Sequence, residues 1–161
     1  MWPFQKAAKT SSKVSKPDDW LLAQGQRDGF PMIVRMANAY TGLAPLPAYD
    51  HHVIVSVHLR DPQPNGFPSS EEGDDLQALE LGLSQLLEID NDSLCVLVIT
   101  NNGLRDFIFY TRKLEGVKQR IEDAKTLFSG FTVEVTIEPD KDWNIYQHFS
   151  RWLARASART N

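Results

Sequence analysis

The sequence predicts an α+β domain in which a β-α-β-β-α-β unit is preceded by a hairpin and followed by a helix. Three observations carry this. Two runs, His52–Arg60 and Phe131–Glu138, alternate apolar and polar residues with the period of two of a half-buried strand. Two other segments repeat leucines and other apolar residues at spacings of three and four, the period of a helix with one buried face. Between them Asn101-Asn102-Gly103 joins two apolar runs, a sequence suited to the positive backbone φ of a tight hairpin turn.

Taken in order, Trp20–Gln26 and Phe30–Asn38 are short strand-like runs around Arg27-Asp28-Gly29, whose Asp-Gly pair is a hairpin signal. Residues 39–50, with Gly42, Pro45 and Pro47, form a connector. In the strand that follows, Val53, Val55, Val57 and Leu59 share one face, while Ile54, Ser56, His58 and Arg60 share the other. Pro62, Pro64, Gly66 and Pro68 then forbid regular structure. Ser69 and Glu72 have the spacing of a capping box, and Glu71, Asp74 and Asp75 favour the positive end of the helix that begins there. Leu76, Leu79, Leu83 and Leu86 form its buried face.

Leu94–Thr100 is apolar on both faces and reads as a well-covered strand, with Leu104–Thr111 returning as its hairpin partner. Leu114, Val117, Ile121, Ala124 and Phe128 mark a second amphipathic helix, ended by Ser129-Gly130. After the last strand, Asp140 or Asp142 caps a helix carrying Trp143, Tyr146, Phe149 and Leu153 on one face. This order is the split βαβ arrangement of ferredoxin-like folds. Right-handed crossovers place both internal helices on one face of an antiparallel sheet and make its first and last core strands neighbours. The polar residues of those two strands then fall side by side. The domain organisation expected is a flexible basic leader over 1–17, one domain over 18–156 and a flexible tail over 157–161.

The 161 residues suffice for one domain with its own core. A lone cysteine, Cys95, has no partner for an intrachain disulfide and lies within an apolar run, which suits a cytoplasmic setting. No stretch approaches the ~20 apolar residues of a membrane helix, so stable membrane insertion is not expected. Net charge is −4, but the ends are basic. Residues 1–16 hold four lysines and no acid, and 151–161 hold Arg151, Arg155 and Arg159, which leaves ten basic residues in the middle against all 21 acidic ones. Duplex nucleic acid is an unsuitable partner for such an acidic body.

Chemistry is not announced by a motif. The P-loop and dinucleotide glycine fingerprints are absent, and no serine sits in a nucleophile elbow. Four carboxylates at a helix start are dipole partners before they are a metal site. His51 and His52 point to opposite faces, and His52 and His58 lie about 20 Å apart along one strand, so no metal and no cofactor is expected. One acid–base set is conceivable: His58 beside Glu134 or Glu138 across neighbouring strands, with Ser56, Asp106 and Tyr110 on the same face. It requires a cover over that face, for which the N-terminal hairpin is the candidate. Trp152 falls off the stripe of the last helix and could rim a partner surface.

Asn102-Gly103-Leu104-Arg105 with Phe109-Tyr110, followed by Asp140-Lys141-Asp142-Trp143-Asn144-Ile145-Tyr146, resembles a bacterial family known as domain of unknown function number 695. Trp20, Gly103, Arg105, Tyr110, Asp140, Trp143 and Tyr146 fall at the family's W-led hairpin, G-x-R…FY hairpin and D-x-x-W-x-x-Y helix start. The resemblance spans about residues 19–150. The D-x-x-W-x-x-Y ending is also similar to the B-type protein regulators of ribonuclease E activity, with Lys141 where those carry proline. That similarity implies a ferredoxin-like protein that acts by binding another protein. Candidate binding residues are therefore Ser56, His58, Arg105, Tyr110, Glu134, Trp143, Tyr146 and Trp152. The function expected is a non-enzymatic protein-binding or regulatory module with an unidentified protein partner, and a homodimer through a free sheet edge fits the fold. The alternative is a small acid–base enzyme or small-molecule sensor with its pocket on the open sheet face.

Overall fold

A computed structural model describes residues 19–160, with side chains through 156; the expected basic leader lies outside the described residues. Local backbone requirements set the turns. Asp28 and Gly29 take φ of 55° and 82° between β1 (Trp20–Arg27) and β2 (Phe30–Ala37). Asn102 and Gly103 do the same between β4 (Ser93–Asn101) and β5 (Leu104–Thr111). With β3 (His51–His58) and β6 (Thr132–Pro139) they build one six-stranded antiparallel sheet in the order β1-β2-β4-β5-β3-β6.

β3 and β6 are neighbours, as the alternating pattern predicted, with Ser56 opposite Glu134 and His52 opposite Glu138. The hairpin behaves differently from the expectation that it could cover the open face. It extends the sheet, β2 pairing with β4 from Met32–Asn101 to Met36–Leu97. The reason lies in β4, where all nine residues are buried. A strand apolar on both faces needs cover above and below and a neighbour on each side.

The two faces are covered by different helices. α1 (Ser70–Leu87) and α2 (Leu114–Asp123) pack Leu76, Leu79, Leu83, Val117 and Ile121 over Val53, Val55, Val57, Phe107 and Phe109. α3 (Asn144–Thr160) covers the opposite face, setting Tyr146, Phe149 and Leu153 against Val34, Met36, Leu97, Ile99 and Tyr110; Trp143, expected on the helix face, packs there from just before its first turn, at a φ of 56°. Two local expectations change. Ser69 Oγ does accept from the Glu72 N–H at 3.1 Å, but the Glu72 carboxylate does not close the box. It is buried and accepts instead from the backbone N–H groups of Arg60 and Asp61, at 2.6 and 3.2 Å, so it ties down the loop after β3. The second helix stops at Asp123 and tightens into a 3₁₀ turn, Ala124–Phe128, which lays Leu127 on Gly82 of α1; a Cβ added there would lie 2.9 Å from Leu127 Cδ1. No helix among the described residues is long and apolar enough to cross a membrane.

Candidate functional site

The structure distributes the eight candidate residues over four places. Alternation along β5 explains the first division: Asp106 and Tyr110 face α3, whereas Arg105, Phe107 and Phe109 face α1.

Tyr110, Trp143 and Tyr146 come together beneath the start of α3. Tyr110 stacks on Trp143 with ring centroids 4.2 Å apart and planes 8° from parallel. Its hydroxyl donates to Asp140 Oδ2 at 2.7 Å, and the Trp143 indole N–H donates to the Tyr49 carbonyl at 2.8 Å. The Tyr146 hydroxyl donates to the Ala37 carbonyl at 2.6 Å. Burial, then the bond to the Asp140 carboxylate, pushes the Tyr110 hydroxyl far above its usual range; burial pushes Tyr146 up to about 12. All three rings are fully buried, so this cluster is a clasp between helix and sheet with no surface for a ligand.

Ser56, His58 and Glu134 lie at the other end of the same face. His58 Nε2 sits 3.0 Å from Glu134 Oε2, the cross-strand approach the sequence suggested, but the two side chains are 44% and 71% exposed. Tyr110 is opposite His52, six residues along β3 from His58, or about 20 Å. The acid–base trio of His58, Glu134 and Tyr110 is therefore not one constellation, and its exposed pair lacks the desolvation that tunes catalytic groups. His58→Ala is expected to change unfolding free energy by less than about 0.5 kcal/mol, measurable by urea titration, because exposed ion pairs contribute little.

Trp152 has a neighbour in its own chain. It lies over Gly25 of β1, where an added Cβ would stand 2.5 Å from Trp152 Cζ2, and it is partly buried against the α3-side core.

Arg105 lies in a groove. Because the hairpin extends the sheet beyond α1, a groove of about 840 Å³ remains between that helix and the hairpin. Its floor is Cys95, Phe109 and Arg105; α1 lines one wall from Gly73 to Glu88, and Trp20 and Arg35 line the other. Arg35 stacks over Trp20 at 5.1 Å and reaches across to Glu80 of α1 at 2.6 Å. The Cys95 thiol is held well above its ordinary pKa by burial and then by Glu88, which disfavours the thiolate. Arg105 donates from Nε to Thr100 Oγ1 at 2.8 Å, and its guanidinium is only half-buried. Leu81, 60% exposed, lines the groove from α1, and Leu22, 70% exposed, lies next to it on the same sheet face as Arg35, its partner across the hairpin.

Sequence reasoning missed Arg35, Glu80, Leu22 and Leu81, since the groove exists only once the hairpin docks on β4. It also passed over His52, buried with Nδ1 3.4 Å from Asp140 Oδ2. No group of three or more histidine, cysteine or carboxylate side chains placed to hold a metal occurs among the described residues.

No curated protein and no solved structure matches the chain. A family model does, and it covers residues 18–150. That span takes in both the aromatic clasp and the groove, and with them every position that carried the sequence resemblance. The chain belongs to the family of unknown function DUF695.

Proposed function

We propose that this chain is a protein-binding module without chemistry of its own, built on a ferredoxin-like core, and that the groove beside α1 receives an extended segment of a partner protein. The observation that carries this reading is Leu81, exposed on the α1 wall of an open groove, with Leu22 exposed on the same sheet face beside the wall residue Arg35, its partner across the hairpin. Exposed apolar side chains in and beside a concavity are what an incoming chain can bury. The dimensions agree. From Gly73 to Glu88 the α1 wall is about 22 Å long, room for six or seven residues of extended chain. The strand order β4-β5-β3-β6 supports the ferredoxin-like core.

A benzophenone side chain placed at Leu81 tests it, with the same probe at Leu43, another exposed leucine, as control. Cross-links from position 81 are expected to map to one contiguous partner segment, and Leu22→Ser in the same chain should reduce them about tenfold. Equal labelling from both positions, or labelling indifferent to Leu22→Ser, would overturn the reading.

A further inference from the structure

Resting on that docking reading, we propose that the groove selects a segment bearing an aspartate or glutamate, whose side-chain carboxylate docks on Arg105.

The guanidinium of Arg105 is taken partly out of water at the groove floor, yet among the described residues no carboxylate lies within ion-pair distance of it. Among the described residues, only Nε has a partner, the Thr100 hydroxyl. Both terminal nitrogens are thus left as a fork of the geometry that a carboxylate accepts bidentately. Burial, followed by the nearby Arg35 charge, already weakens the hold of Arg105 on its proton, so an incoming anion would relieve an existing cost.

The other charges of the groove define which anion fits. Arg35 is bound to Glu80, and Glu88 accepts from the Cys95 N–H at 2.9 Å and from the Ser84 hydroxyl. Asp74 is exposed on the α1 wall. With three carboxylates lining the same groove, a doubly charged phosphate meets more repulsion than a singly charged carboxylate does. A chain-terminal carboxylate is usually held by free backbone N–H groups, whereas here Arg105 and Thr100 are opposite one another in the β4–β5 ladder. A side-chain carboxylate is the group that one arginine fork can take.

The test begins with selection of displayed decapeptides, their C-termini fused to the carrier, on the full-length protein. Enriched peptides are expected to share an acidic residue at a fixed distance from apolar ones and to lose binding to Leu22→Ser and Leu81→Ser variants. A synthetic peptide with that Glu replaced by Gln should bind about tenfold more weakly by fluorescence anisotropy. The difference should vanish against Arg105→Gln and shrink against Arg105→Lys, which keeps the charge without the fork. Thermal melting of each variant verifies that it is folded. If the Glu-to-Gln change costs the same with Arg105 and with Gln at that position, the carboxylate inference is overturned while the docking groove stands. Preference for a phosphorylated residue or a free C-terminus overturns it likewise. If no selected peptide responds to Leu22 or Leu81, the docking reading itself falls.

Discussion

Trp143→Ala is expected to lower the unfolding free energy by about 3–5 kcal/mol, the range for emptying a buried aromatic site. Trp143 is fully buried, stacked on Tyr110, and meets the rings of Tyr40 and Tyr146 edge-on at 5.9 and 5.6 Å. Truncation removes all three ring contacts and leaves the Tyr49 carbonyl without the indole donor. The cavity cannot collapse easily, because its walls are strand β5, the 3₁₀ turn Asn38–Tyr40 that follows β2, and the helix the residue introduces. Trp143→Phe should lose less, since it keeps much of the stacking and gives up only the hydrogen bond and part of the area. Urea unfolding followed by far-ultraviolet circular dichroism separates the two. A loss below about 1 kcal/mol for the alanine variant would contradict the packing described here.

Asp140→Ala is expected to lose about 3 kcal/mol at neutral pH, through a different mechanism. The Asp140 carboxylate, 4% exposed, accepts from the Asn144 N–H at 2.8 Å, capping α3, and from the Tyr110 hydroxyl. Without it, a buried hydroxyl and the first turn of the helix lose their acceptor together. Burial alone would raise the pKa of Asp140. The bonds from Asn144, Tyr110, His52 and Ile145 outweigh burial and hold it below the usual carboxylate range. The stability that follows is complete above the unfolded-state pKa of about 3.9 and is lost as pH falls through the lower folded-state value. Wild-type stability should therefore decline more steeply with acidification below about pH 4 than that of Asp140→Asn, which has no proton to take up there. Parallel pH profiles for the two proteins would refute the assignment.

Much of the fold was legible because its signals are local. Asp28-Gly29 and Asn102-Gly103 stand where the backbone needs positive φ, and the alternations of β3 and β6 fix which faces are buried. Placing the hairpin was harder, since its pairing with β4 joins residues 61 to 69 positions apart and no turn chemistry records it. A signal was present all the same. Leu94-Cys95-Val96-Leu97-Val98-Ile99 is too apolar for the edge strand that a four-stranded core would make of it, and that excess demands a further neighbour. The candidate residues fared according to what made them visible. Tyr110, Trp143 and Tyr146 were conspicuous because they are large and aromatic, and they prove to be internal fasteners. Arg105 was found through a motif alone; its place on the α1 face and its surroundings arise only when a hairpin, a helix and two strands meet. Leu22 and Leu81 carry no sequence signal, because an apolar residue on a strand or helix is assumed to be buried.

The covering of the hairpin by α3 has a consequence for how the protein is made. Met32, Val34 and Met36 leave the ribosome early, yet the helix that buries them is the last element of the chain. About 110 residues separate them, which at roughly 5–20 residues per second leaves that apolar strand face waiting for about 5–20 seconds. During this interval β2 can pair with β1 but has no roof. The nascent hairpin thus presents an apolar face on which a chaperone, or another nascent chain, can settle before α3 is made.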